Sequence, residues 1–106
     1  MINFDLLLPW ELVKPDSRKV LLEAELKKEL GKKHVLFGLP AKALAARCDQ
    51  DDTLFEIGDV DKKYAVVHLT WGAHPDPHPA FPSTEIFENL DKWKEQMLSN
   101  NQEYEI

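Results

Sequence analysis

The chain predicts an α+β fold: one antiparallel sheet of four to five strands with an N-terminal and a C-terminal helix packed on one face. Three observations point there. Leucines recur every four residues near the start, at Leu22, Leu26 and Leu30. Short β-rich runs separated by turn residues follow from His34, and a second apolar stripe (Leu90, Trp93, Met97, Leu98) comes after Asn89. Successive runs are not separated by helical stretches, as βαβ units would require, so neighbouring strands are expected to pair antiparallel.

The first helix is predicted over Ser17 to Leu30. Asp16 or Ser17 can cap its start, Val20 and Ala24 flank the leucine stripe, and Gly31 stands where a left-handed cap is wanted. Its other face carries Arg18, Lys19, Lys27 and Lys28 interleaved with Glu23, Glu25 and Glu29, the pattern of a solvated surface. His34 to Leu39 and Lys42 to Cys48 are the first two predicted strands, with Pro40 marking an edge or turn. Asp49 to Asp52 reads as a hairpin turn, Thr53 to Gly58 as a third strand, and Asp59 to Lys63 as the next turn. Tyr64 to Trp71 alternates most clearly, placing Ala65, Val67, Leu69 and Trp71 on one face and Tyr64, Val66, His68 and Thr70 on the other.

Gly72 to Pro82 holds four of the seven prolines, too many for a helix or an interior strand, and reads as a stiff loop. Residues 84–88 are open to two readings, a short strand followed by a helix capped by Asn89, or a helix beginning at Ser83 or Thr84. The first is preferred because asparagine is a good cap for a helix from Leu90 to Ser99. Trp10 and Trp93 are assigned to the core. Residues 1–106 are read as a single domain whose last seven residues, from Asn100, form a polar frayed tail. The order YAVVHLTW, a proline-rich loop, then TEIFENLDKW resembles small uncharacterised bacterial proteins over roughly residues 42 to 98. That resemblance implies no activity, cofactor or site residue.

The 106 residues are 43% hydrophobic and 30% charged, a globular balance that needs neither disulfide nor metal to make a core. A net charge of -6 argues against nucleic acid or an anionic membrane as the main partner and favours a basic protein. Cys48 is the only cysteine, no segment nears the roughly 20 apolar residues of a membrane span, and the start does not read as a secretory signal. A cytoplasmic protein is expected.

Few residues suggest chemistry. His74, Asp76 and His78 alternate with prolines and, if extended, share a face on which they and His68 could hold zinc, as in a metal-binding protein or small metal-dependent hydrolase. Prolines favour a threefold polyproline period that spreads such ligands apart. His68 lacks a visible nucleophile, and Cys48 stands beside the negative Asp49, a setting that does not favour an activated thiolate. Asp49 to Asp52 begins like a calcium loop, yet Leu54 and Val60 stand where glycine and glutamate are needed. Pro79 to Pro82 has PxxP spacing, a pattern common by chance. Phosphate loops, nucleophile elbows and CxxC pairs are absent from the sequence.

Charge is distributed unevenly. Residues 49–61 carry six acids and no base, residues 83–106 a net of -4, and Lys14 to Lys33 a net of +3. The expected function is a small acidic, non-enzymatic protein-binding domain, such as a bacterial toxin-immunity or inhibitor protein, with acids standing in for a nuclease substrate's phosphates. Asp51, Asp52, Glu56, Asp59 and Asp61 are its candidate contacts, with Trp71 and His74 at the rim and Tyr64 and Phe81 as further aromatic anchors. A homodimer through the uncovered sheet face is a further expectation.

Overall fold

Each strand pairs with its nearest strand in sequence, which is how short β-runs joined by tight turns satisfy their backbone groups. The computed structural model describes residues 2–72 and 82–105. In chain order the elements are β1 (Trp10–Leu12), α1 (Asp16–Glu29), β2 (Ala41–Arg47), β3 (Asp52–Ile57), β4 (Lys63–His68), β5 (Thr84–Phe87) and α2 (Leu90–Tyr104). The strands form one antiparallel sheet in the order β1-β2-β3-β4-β5, and the fold is α+β.

The helices lie on opposite faces of this sheet, where one shared face was expected. Side chains alternate along a strand, so Phe55, Ile57, Ala65 and Val67 face one side and Leu54, Tyr64 and Val66 the other. α1 covers the first set with Leu22, Leu26 and Leu30. α2 covers the second with Trp93 and Met97, aided by Trp10 and by Ile2, Phe4 and Leu6 of the N-terminal segment. The reason is visible in β3, where the adjacent residues Leu54 and Phe55 point to opposite sides and both are fully buried. A strand with a large apolar side chain buried on each of its two sides needs a cover on both.

Other boundaries moved for local reasons. The predicted strand at His34 to Leu39 is a series of turns, with His34, Phe37 and Leu39 amides donating to Gly31, His34 and Leu36 carbonyls. The buried His34 ring sets that path: Nδ1 accepts from the Leu36 amide at 3.0 Å, leaving Nε2 to donate to the Pro82 carbonyl at 3.0 Å. The first strand is instead β1, too short to show a period. Helix α1 starts from Pro15 without a side-chain cap and ends through an extended Leu30, so neither the Asp16 or Ser17 cap nor the left-handed Gly31 forms.

β2 carries a bulge between Ala43 and Ala45, and the Ala43 amide donates to Glu23 Oε2 of α1 at 3.0 Å. Residues 84–87 form the preferred short strand, and Asn89 caps α2 by accepting from the Lys92 amide at 2.9 Å. The expected frayed tail is helix: Trp10 Nε1 donates to the buried Asn100 Oδ1 at 3.0 Å, and α2 runs on to Tyr104. Trp10 and Trp93 are core residues in edge-on contact, ring centres 5.1 Å apart.

Candidate functional site

Just past the end of β4 the backbone leaves routine geometry. Leu69 extends the ladder one step by donating to the Asp51 carbonyl, and the chain then leaves the sheet through Thr70 and Trp71. Trp71 has φ 58°, the left-handed region a bulky residue rarely adopts. Glu29 of α1 holds it there. Its carboxylate accepts from the Thr70 amide at 2.8 Å, the Thr70 hydroxyl at 3.0 Å and the Trp71 amide at 2.8 Å.

Glu25 and Glu29, assigned to a solvated face by the sequence pattern, are both buried. Burial works against the Glu29 carboxylate, but hydrogen bonds from Glu25, Thr70 and Trp71 outweigh it and leave its pKa below the usual value. The hydrogen bond to Glu29 raises the pKa of Glu25, with burial and the negative charge of Glu29 adding to it. Glu25 Oε2 is buried without a hydrogen-bond partner among the described residues. Lys28 lies 3.7 Å from the other Glu25 oxygen.

Beside Trp71 is a cleft of about 130 Å³ between the first half of α1 (Arg18, Leu21) and the β2–β3 turn (Gln50, Asp51, Asp52). Trp71 and Leu21 are 44% and 56% exposed, so the cleft has an open apolar lip. Arg47 grips Asp49 through two bonds of 2.8 and 2.9 Å, which lowers the Asp49 pKa. The hydrogen bond to Asp49 raises that of Arg47, and Asp52 and Glu103 raise it further. Glu103 belongs to the last turn of α2, and its neighbour Tyr104 sits 3.9 Å from Cys48 Sγ. Tyr104 has its pKa raised by that thiol first and then by charges including Asp49 and Glu11.

Tertiary structure thus collects Glu11, Asp49, Asp51, Asp52 and Glu103 at one end of the sheet. Arg18 and Arg47 are the cations among them. Glu11 and Glu103 were missed as site residues because β1 is too short to read and the α2 C-terminus was taken as a tail.

The remaining candidates disperse. Asp59 and Asp61 are exposed in the β3–β4 turn, and β3 at roughly 3.3 Å per residue puts them about 20 Å from Asp51. Glu56 is buried, with Lys62 Nζ at 3.4 Å. Tyr64 is half-buried against the α2 layer. His68 points to the α2 side, its Nδ1 2.7 Å from Asp52 Oδ1, and no Ser, Thr or Cys bonds to its Nε2 among the described residues. That pair could orient a general base, but no nucleophilic side chain is bonded to it among the described residues. His74, Asp76, His78 and Phe81, together with most of the PxxP segment, lie outside the described residues. Among the described residues no three His, Cys, Asp or Glu side chains are grouped to hold a metal, and no helix is long and apolar enough to cross a membrane.

No family model, curated protein or solved structure matches the chain.

Proposed function

We propose that the protein is a small binding domain that docks a basic protein through the acidic end of its sheet, as an immunity or inhibitor protein of a bacterial cytoplasm would. Trp71 carries this reading. A half-exposed tryptophan in a strained backbone conformation, secured by the buried Glu29, is a rigid aromatic anchor placed among acids. Asp51 and Asp52 line the cleft beside it, and Glu11, Asp49 and Glu103 add negative charge at the same end of the sheet, an excess that steers a cationic partner and fixes its register. Asp59 and Asp61, at the far end, are left out of the contact.

The test is capture of partners from the host lysate at low and high salt by three forms of the tagged protein. Wild type retains one basic protein in stoichiometric amount, more weakly at high salt. Asp51→Lys with Glu103→Lys abolishes retention, whereas Asp59→Lys with Asp61→Lys keeps it. Equal loss in both double variants would mean that net charge, not this end of the sheet, attracts the partner.

A further inference from the structure

His34 is buried, at 6% exposure, and its hydrogen bonds fix its tautomer. Nδ1 accepts from the Leu36 amide at 3.0 Å, so it bears no hydrogen. The one ring proton therefore sits on Nε2, which donates to the Pro82 carbonyl at 3.0 Å and reaches the Thr84 hydroxyl oxygen at 3.2 Å. That hydroxyl donates in turn to the same carbonyl at 2.9 Å. The neutral ring thus fastens the turn segment after α1 to the entry of β5. Leu36, whose amide it receives, is 2% exposed and plugs that segment into the core beneath α1.

A second proton on this ring has nowhere to go. It would set an N–H at Nδ1 against the N–H of Leu36, and two donors cannot share that 3.0 Å contact. Nor does a counter-charge stand by. The ionisable groups on the surrounding elements are Lys32 and Lys33 on its own segment, Glu29 at the end of α1, His68 on β4 and Glu85 on β5. Both lysines are exposed, and the Glu29 carboxylate is taken up by Thr70 and Trp71. Thr84 lies across from Val67 on the α1 side of the sheet, whereas Glu85 and His68 are on the α2 side. None of the five is bonded to the ring among the described residues. A charged imidazole buried without an anion is costly, so the charged ring must leave its place.

We infer that His34 is a proton-operated latch: its neutral ring seats Leu36 and holds the turn segment against the start of β5, and its protonation releases both. Histidine is the side chain suited to such a device, because its charge changes between about pH 5 and 8. Release is local. The Phe37 amide donates to the His34 carbonyl and the Leu39 amide to that of Leu36, so the turns of residues 34–39 loosen with the ring, while β3 keeps both of its strand neighbours. The latch shares no residue with the acidic end of the sheet and stands whether or not a partner docks there.

The experiment is NMR on the full chain between about pH 8 and about pH 5, following the ring nitrogens of His34 together with hydrogen exchange at the Leu36 and Phe55 amides. As the ring passes from the Nε2–H tautomer to the charged form, exchange at Leu36, corrected for its intrinsic rate, should rise at least about tenfold while Phe55 stays protected. His34→Gln keeps an acceptor for Leu36 and a donor for Pro82 without a titrating group, so its Leu36 amide should hold its protection throughout. A ring that charges with Leu36 still protected, or that stays neutral over the whole range, overturns the proposal. So does joint loss of protection at Leu36 and Phe55, which is global unfolding, or the same pH dependence in His34→Gln. Should that variant fail to fold, the ring and amide signals of the unaltered chain decide alone.

Discussion

The carboxylate of Glu29, in the last turn of α1, accepts the backbone amide of Trp71 at 2.8 Å and so ties the α1 layer to the exit of β4. One carboxylate receives three donors there, all from Thr70 and Trp71. Successive amides converging on an anion are the nest geometry that a left-handed residue creates. The strain at Trp71 and the anchorage by Glu29 are therefore parts of one feature, which turns an aromatic ring outward beside Asp51 and Asp52.

Glu29→Ala should destabilise the fold by about 2–4 kcal/mol, because it leaves two amides and a hydroxyl without their charged acceptor. Trp71→Gly should behave differently. Glycine adopts φ 58° without strain, so relief offsets the lost packing of a half-exposed ring, and stability should change by no more than about 1 kcal/mol. Partner capture should nevertheless be lost. Urea denaturation of both variants beside the capture assay separates the scaffold role from the anchor role. A Trp71→Gly protein that still captures the partner would remove Trp71 from the interface.

The carboxyl pair makes stability depend on pH in two directions. Glu29 has a lowered pKa, so its contribution is present above its ordinary value of 4.5 and is lost as pH falls through the lower folded value. Glu25 has a raised pKa, so its contribution is complete below 4.5 and is lost as pH rises through the higher folded value. Glu25→Gln supplies an amide donor toward Glu29 at every pH. Thermal unfolding followed across this range should show wild type losing stability on the alkaline side of 4.5 and Glu25→Gln losing less, with the acid-side loss common to both. Parallel curves would assign the alkaline loss to other groups.

Period-two and period-four patterns were legible wherever a strand or helix was long enough to repeat them. β2, β3 and the Asn89 cap came within a residue or two of their predicted places. β1 spans three residues and shows no period, while His34 to Leu39 looks β-rich but bends because the His34 ring takes the Leu36 amide. Glu25 and Glu29 looked solvated because acids between lysines usually are, and the partners that hold Glu29, Thr70 and Trp71, lie about forty residues away. The acidic end of the site was half legible: Asp51, Asp52 and Trp71 were named from sequence, whereas Glu11 and Glu103 arrive only through the packing of β1 and α2.

The α2 C-terminus can be tested by its hydrogen bond to the N-terminal layer. Asn100→Leu removes the acceptor of the buried Trp10 Nε1 and should cost about 1–3 kcal/mol despite its gain in apolar volume. Ending the chain after Ser99 should cost more, since it also removes the Asn101 side chain that donates to the Leu8 carbonyl. Chemical denaturation of both forms measures this. A frayed tail would make both changes silent.

Placement of a helix on each face gives the sharpest test of architecture. Leu54 and Phe55 are consecutive, equally buried, and point to opposite layers, Leu54 to α2 and Trp93, Phe55 to α1 and Leu26. Leu54→Ala should therefore cost about 2–5 kcal/mol and Phe55→Ala about 3–5 kcal/mol, each leaving a cavity in its own core. With both helices on the Phe55 side, Leu54 would face water and its truncation would cost well under about 1 kcal/mol. The two cores are separate clusters on opposite faces of the sheet, so the double variant should fall near the sum of the singles, apart from any coupling along β3. Urea midpoints for the two single variants and the double variant decide the matter, and a silent Leu54→Ala would return α2 to the face of α1.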